Sequence, residues 1–290
     1  MQKAFDVDGP AEIDVRLASG DIEVDPSLEG RIELELVAHD EESQRLVDEA
    51  RIELHEHHGR PQLIVDVPHK SRGFSFSIVF GRSGISCRIR CPRGSLVSVR
   101  SKSADLRVSG TIGGLNVTTA SGDVEATMVE GGVNVKSASG DVNVREIRGG
   151  VNVQTASGDI ELDIAHGPVN VQTASGDLAI GEAYDNVSAN TVSGDQQHGA
   201  VMRGNVAAHS VSGDVRIGVR RGSKVYLDCN TVSGDTSSEL ELTTEAPAGD
   251  GPLVEVRAKT VSGDITITRA PAPQSTPPAH DSNSVQEVHS

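Results

Sequence analysis

Large rings are nearly absent from these 290 residues: there is no Trp, and two Tyr and four Phe make up the 2% that is aromatic. That excludes a core organised around aromatic side chains and leaves a narrow one of stacked Val, Ile, Leu, Ala and Thr. Cysteine is equally scarce, and three residues make no disulfide framework. Cys87 and Cys91 sit four apart in a strand-like stretch, where their Cα atoms would be about 13 Å apart, beyond disulfide reach. Cys229 stands alone. No apolar run approaches a membrane span, and Met1-Gln2-Lys3-Ala4-Phe5-Asp6 does not open like a secretion signal. The expectation is a cytoplasmic protein with no direct membrane insertion. Cations are outnumbered as well, 26 Lys and Arg against 42 Asp and Glu, for a net −16. Such a surface excludes nucleic acid as a partner for the whole molecule.

The charge is uneven along the chain. Residues 1–66 hold 6 basic and 18 acidic residues, residues 67–103 hold 8 and 0, and residues 104–290 hold 12 and 24. A basic island between two acidic segments is expected to face them rather than an external anion.

What is abundant is one phrase. Ser121-Gly122-Asp123 returns as Ser139-Gly140-Asp141, Ser157-Gly158-Asp159, Ser175-Gly176-Asp177 and Ser193-Gly194-Asp195, always at the same step. A degenerate copy, Ser103-Ala104-Asp105, lies one further such step upstream. Three more, ending in Asp214, Asp235 and Asp264, follow at steps of 19, 21 and 29. Around each copy apolar and polar residues alternate, as in Val133-Asn134-Val135-Lys136 and Val142-Asn143-Val144-Arg145. Val133, Val135, Val142 and Val144 therefore face inward and their neighbours face water. Written one above another, the repeats align Val117, Val135, Val153 and Val171 in one column, Asn116, Asn134, Asn152 and Asn170 in a second, and Ala120, Ala138, Ala156 and Ala174 in a third.

Columns of identical residues are what stacked parallel coils produce, each strand pairing with its counterpart about 4.8 Å along the axis. The fold class is thus all-β: a single-stranded parallel β-solenoid of roughly 18-residue coils, with a strand-rich N-terminal cap containing one short helix. Each coil is flattened, with two faces and two corners. Ser-Gly-Asp makes one corner; the Gly-Gly pairs at 113–114, 131–132 and 149–150, and Gly167-Pro168, make the other, where positive φ is expected. The domain division is 1–95 for the cap region, 96–269 for the solenoid and 270–290 for a disordered Pro-rich tail. Residues 246–252 read as a loop inserted in the last coil. The varied last coils and the tail read as devices that block edge pairing.

Within the cap region, residues 5–37 alternate with period 2 and already contain Ser19-Gly20-Asp21, which suggests an outlying coil. Asp40 or Ser43 is placed to cap a helix presenting Leu46, Val47 and Ala50. Strands are expected at 51–56 and 62–67. On the first of them Glu53, His55 and His57 share a face, an arrangement able to hold zinc, although no further ligand is identifiable. Phe74, Phe76 and Phe80 are expected to plug the open end of the solenoid. Ile85, Cys87, Ile89 and Cys91 alternate with Ser86, Arg88 and Arg90, so both cysteines behave as small core residues.

The repeated corner is where chemistry would concentrate. Its structural reading is a turn ladder of Gly122, Asp123, Gly140, Asp141, Gly158, Asp159, Gly176, Asp177, Gly194 and Asp195, with Gly left-handed and the Asp carboxylate and Ser hydroxyl accepting backbone N–H groups. The alternative treats Asp123, Asp141, Asp159, Asp177 and Asp195 as a calcium ladder or as carboxylate pairs for glycan cleavage. No rung departs from its copies as a catalytic residue would, and no cofactor fingerprint is present. The expectation is a non-enzymatic binding or scaffold module without catalytic residues or cofactor, meeting a protein or surface partner. Self-assembly into a cytoskeletal-type scaffold through the solenoid ends is a further alternative.

The repeated Ala/Val-Ser-Gly-Asp with Val-Asn-Val between copies, behind a strand-rich head and a short helix, resembles the bacterial β-strand-repeat family of putative adhesins. The resemblance covers about residues 1–268. It implies a β-solenoid without known catalytic residues, of unknown function. A weaker resemblance links the chain to bactofilin-like β-helical scaffolds.

Overall fold

Alternation drives each repeat into two strands, and the corner between them turns the chain back. In the computed structural model, which describes residues 1–68, 84–240 and 251–270, one such coil is Val133–Lys136 followed by Val142–Ile147. Val133 pairs in parallel with Leu115 on one side and Val151 on the other; Asn134 pairs with Asn116 and Asn152. On the second face Val142 pairs likewise with Val124 and Ile160. Like side chains therefore meet like along the axis. Val133, Val135, Val142 and Val144 are buried between the two faces, and the same columns continue as one contiguous core. Burying one such side chain fully is worth roughly 1.5–3 kcal/mol.

Parallel stacking reaches into the N-terminal region. Glu12–Leu28 runs unbroken through Ser19-Gly20-Asp21 and pairs with Leu96–Ile112, from Glu12 opposite Leu96 to Val24 opposite Val108. Its outer side carries Arg60–Asp66 on one face and Ile85–Pro92 on the other, both parallel to it. Antiparallel strands then end the stack: Arg51–His57 on Arg60–Asp66, Arg31–Ala38 on Ile85–Pro92, and Gln2–Asp6 on Arg31–Ala38. The helix Glu41–Asp48 packs beside them. Its N-cap is Asp40, whose carboxylate accepts from the Ser43 N–H at 2.7 Å and the Ser43 hydroxyl at 2.8 Å. Val47 is buried, and Leu46 and Ala50 are partly buried against the core.

Cys87 and Cys91 are buried on Ile85–Pro92, alternating with Ser86, Arg88 and Arg90. Burial pushes their thiols up to about 12 and about 11. The described part of the basic island does face acidic neighbours: Arg88 meets Glu23 at 2.7 Å, Arg100 meets Asp14 at 3.4 Å and Arg90 meets Glu33 at 3.7 Å. Phe74, Phe76 and Phe80 lie outside the described residues, as do most of the 246–252 loop and residues 271–290.

The C-terminal coils are not stacked in chain order, which corrects the simplest reading of the repeat. Gly204–His209 pairs with Leu253–Ser262, and Leu253–Ser262 pairs in turn with Lys224–Ser233. On the other face Val215–Val219 pairs with Ile265–Arg269, which pairs with Thr236–Ser238. The last coil in sequence is thus the penultimate coil in space. The chain runs past a vacant position, builds the outermost coil at 224–238, and returns to fill the gap.

Candidate binding surface along the Ser-Gly-Asp corner

At the corner the backbone bends out of the β ladder, and the Asp N–H loses a carbonyl acceptor. The side chain replaces it. The Asp141 N–H donates to Asp123 Oδ1 at 2.9 Å, Asp159 to Asp141 at 2.8 Å, Asp177 to Asp159 at 2.9 Å and Asp195 to Asp177 at 2.8 Å. The series begins with Asp123 on Asp105 at 3.1 Å. It ends with Asp214 on Asp195, Asp264 on Asp214 and Asp235 on Asp264, at 2.8, 2.9 and 2.8 Å, and so traces the spatial order of the coils. From Asp123 onward each of these Asp carbonyls also accepts an N–H from the neighbouring coil, as Val142 N–H donates to Asp159 O at 2.9 Å. The ladder expected at Asp123, Asp141, Asp159, Asp177 and Asp195 is therefore assembled as a run of charge-assisted hydrogen bonds, which also offsets repulsion between rungs.

Two details of the expected turn differ. The Ser hydroxyl does not act as the acceptor: Ser121 Oγ donates to Lys102 O at 3.5 Å. Left-handed φ is found at Gly158, Gly176 and Gly194 but not at Gly122 or Gly140. What unites these glycines is close approach. A Cβ on Gly176 would lie 2.2 Å from the Gly158 carbonyl oxygen, and one on Gly140 would lie 2.3 Å from that of Gly122. The Gly-Gly corner follows the same rule, since a Cβ on Gly131 would lie 2.1 Å from the Gly113 oxygen. None of its glycines has positive φ, contrary to expectation.

Sequence reasoning missed a column directly behind the corner. Four residues before each Asp stands a hydroxyl, and Thr119, Thr155, Thr173, Thr191, Ser210 and Thr260 are all buried. Thr119 Oγ1 accepts from the Gly122 N–H at 3.1 Å and from Ser101 Oγ at 2.8 Å; Thr231 Oγ1 donates to Gly263 O at 3.0 Å. Thr155, Thr191 and Thr260 also donate to backbone carbonyls at the corner, at 3.4, 3.4 and 3.3 Å, whereas the hydroxyls of Thr173 and Ser210 are buried with no partner among the described residues. Their signal was the Ser or Thr at that offset in every copy from Asp105 onward.

The outer face of the corner changes character along the rod. Three residues before each Asp, the column begins with Ala120, Ala138, Ala156 and Ala174, all exposed. It continues in space as Val192, Val211, Val261 and Val232, which are 52, 49, 49 and 80% exposed. Backbone bonds tie successive members together, with Ser212 N–H on Val192 O at 2.8 Å and Ser262 N–H on Val211 O at 2.9 Å. Four valines in line make an apolar ridge about 14 Å long, flanked by Asp195, Asp214, Asp264 and Asp235. The switch from Ala to Val was visible in the sequence but had not been singled out.

The Asn column forms the amide ladder expected of it: Asn134 Nδ2 donates to Asn116 Oδ1 at 3.1 Å, Asn152 to Asn134 at 3.1 Å and Asn170 to Asn152 at 3.0 Å. Glu53, His55 and His57 are not brought to one centre. Glu53 binds Arg51 at 2.6 Å and His55 at 2.7 Å, and these bonds pull its carboxyl down to about 2, while His57 turns to Glu12 at 3.0 Å. Among the described residues no group of three or more His, Cys, Asp or Glu is placed to hold a metal ion.

One coil breaks the apolar core. Gln196 and His198 take positions held by Leu178 and Ile180 in the coil before and by Val215 and Ile217 in the coil after. Both are buried. Gln196 Nε2 donates to Thr191 Oγ1 at 3.0 Å and His209 O at 2.8 Å, whereas neither His198 nitrogen has a partner among the described residues. Burial pushes the His198 imidazole down to about 4. On the other strand of that coil the Val column changes from Val171 to Ala189 and continues as Ala208 and Ala258.

The sequence pattern that defines the Toastrack DUF4097 family matches residues 11–268. Solved structures similar to this chain include a putative adhesin from Bacteroides fragilis, at 13% identity over 92% of this chain and 96% of that one, with a TM-score of 0.44. A putative lipid binding protein from Parabacteroides distasonis is 12% identical over 91% and 96%, with a TM-score of 0.45. A putative adhesin from Parabacteroides merdae is 14% identical over 93% and 96%, with a TM-score of 0.40. No curated protein matches the chain.

Proposed function

The chain belongs to the Toastrack DUF4097 family, and from that premise we propose that it is a non-enzymatic, adhesin-like binding module that engages a protein or surface partner through its Ser-Gly-Asp corner. The observation that carries this reading is the ridge of Val192, Val211, Val261 and Val232. It is an exposed aliphatic line where, among the described residues, few other large apolar side chains are exposed, and it is set beside a rail of carboxylates. Such a surface suits a partner that offers apolar groups next to cationic ones. Each corner carboxylate from Asp105 to Asp264 already holds a backbone N–H, which favours a structural role for the ladder over a reactive one. All three cysteines are free thiols, which favours a reducing compartment, so a partner inside the cell is sought first.

The test is quantitative affinity capture from bacterial cell and envelope extracts, with the natural chain and a Val192→Ser, Val211→Ser, Val232→Ser, Val261→Ser variant as baits. Equal melting temperatures would establish that the variant folds. Partners retained by the natural chain should be depleted at least tenfold on the variant. Identical captured sets, or turnover of a glycan or ester panel abolished by Asp159→Asn, would overturn the reading.

A further inference from the structure

The two ends of the rod are not equivalent. At the N-terminal end antiparallel strands and a helix lie over the outermost parallel coil. At the other end, among the described residues, the stack stops on Lys224–Ser233 and Thr236–Ser238, each paired on one side only. The inward side chains of that last coil, Val225, Leu227 and Cys229, are only partly buried, whereas Val254, Val256 and Ala258 one coil deeper are completely so. Among the described residues six of the seven exposed large hydrophobic side chains lie in the last four coils, and Tyr226 and Val232 are on the edge strand itself. The varied last coils leave this edge unpaired among the described residues, and the tail expected to help block edge pairing lies outside them. A ten-residue strand without proline, with its outer edge unpaired among the described residues, is the kind of edge that natural proteins cover.

We propose that a second copy of this chain covers it, in a closed tail-to-tail dimer. The inference rests on the open edge and shares only Val232 with the ridge proposed as a partner site. Charge permits it: the molecule carries −16, yet Lys224–Ser233 holds one Lys and one Asp, and Thr236–Ser238 holds no charge. Closure follows from the cap. Among the described residues the N-terminal end also stops on strands paired on one side only, Gln2–Asp6 and Arg51–His57, but both carry charged side chains of the kind that discourage edge pairing. Head-to-tail growth is thereby opposed, and a twofold contact, which stops at two, is the arrangement left.

Symmetry restricts the register too. Two copies of Lys224–Ser233 related by a twofold axis run antiparallel, and inward residues must oppose inward residues to keep one core. The longest overlaps centre on Asp228 or on Cys229. The first sets carboxylate against carboxylate. The second sets Tyr226 opposite Val232 of the second copy, a favourable aromatic and β-branched pair, and Asp228 opposite Asn230 of the second copy. It also brings the two Cys229 residues face to face, with Cα atoms about 4.5–5.5 Å apart, within disulfide range.

Sedimentation equilibrium of the full chain over a range of concentrations should give twice the 30.4 kDa chain mass. Tyr226→Lys with Val232→Lys, which alters exposed side chains only, should weaken association at least tenfold. Mild oxidation with copper phenanthroline should yield a cross-linked dimer that Cys229→Ser abolishes, since Cys87 and Cys91 are sealed in the core. A monomer at every concentration would overturn the proposal, as would a ladder of higher multiples or a dimer indifferent to the double Lys variant. A full chain that is monomeric but dimerises once residues 271–290 are removed would assign the edge to the chain's own tail and overturn it equally.

Discussion

The regular middle of the rod and its two ends obey the same pairing rule but use chain order differently. From Gly114–Thr118 to Gln196–Val201 each coil lies on the one before it, at the constant interval of the repeat. At the N-terminal end Glu12–Leu28 pairs with Leu96–Ile112, and the long segment between them builds outward. At the C-terminal end the outermost coil forms before the one beneath it. Parallel β pairing fixes which strands are compatible, but connection length decides which of them become neighbours. The step of 21 residues from Gly204 to Val225 carries the chain two rungs on, and the step of 29 residues from Val225 to Val254 lets it return to the skipped one.

The largest effect expected from this difference comes from truncation. Were the coils stacked in order, removing residues 251–290 would shorten the rod by one coil and leave the rest intact. With Leu253–Ser262 and Ile265–Arg269 between the other two, the same truncation removes the support of Lys224–Ser233 and uncovers Gly204–His209 and Val215–Val219 as well. Hydrogen exchange should show protection lost across residues 204–238. Replacing residues 221–250 by a short Gly-Ser linker should be far milder, because 253–269 can then follow 219 in ordinary order. Equal damage from the two changes would contradict the inserted-coil topology.

Next in size is a contrast between two glycines of the regular middle. Gly176 combines φ +144° with a Cβ position 2.2 Å from a neighbouring carbonyl oxygen, whereas Gly132 has ordinary φ and a Cβ position 3.3 Å from Gly150 O. Gly176→Ala should cost about 3 kcal/mol or more in urea unfolding, and Gly132→Ala about 1 kcal/mol or less. If the two cost the same, close approach of successive corners is not what selects glycine there.

A third contrast sets the coil with the buried imidazole against its neighbours. His198 titrates near 4 in the folded chain against an ordinary 6.5, so the unfolded chain binds the extra proton between those values. Stability is complete above about pH 6.5 and falls as the pH drops towards 4, by roughly 3 kcal/mol in all. His198→Leu, which restores the pattern of Leu178, Ile180 and Ile217, should remove that share of the acid sensitivity. Superimposable pH profiles for the two proteins would mean that the ring is not buried and neutral.

Much of this molecule was legible because its repeats are nearly identical: the inward Val column, the Asn ladder and the Asp ladder each follow from period 2 within a coil and period 18 between coils. Three things were not. Stack order at the ends was hidden because Asp214, Asp235 and Asp264 sit in equivalent motifs, and the motif says nothing about which copy neighbours which. The buried Thr column was masked by hydroxyls being ordinary near turns, where an inward and an outward Thr read alike. The Val ridge has no compositional signal, because valine is usually core; only the alternation, which places the third residue before each Asp outside, separates Val192 from Val187.

The smallest predicted effect bears on what the corner carboxylates are for. Asp159 accepts the Asp177 N–H at 2.9 Å and donates its own N–H to Asp141 at 2.8 Å, so its side chain serves one rung and its backbone another. Asp159→Ala leaves the Asp177 N–H without that acceptor and should cost about 1–2 kcal/mol. Asp159→Asn keeps an acceptor oxygen while removing one charge from a crowded rail, and should recover most of the loss. A calcium ladder predicts otherwise: Asn would be as damaging as Ala, and the natural chain would melt higher in calcium than in chelator. The hydrogen-bond role requires equal melting temperatures in the two buffers and a clear gap between the Ala and Asn variants. Equality of those variants, together with a calcium-dependent rise in melting temperature, would transfer the ladder from the fold to a bound cation.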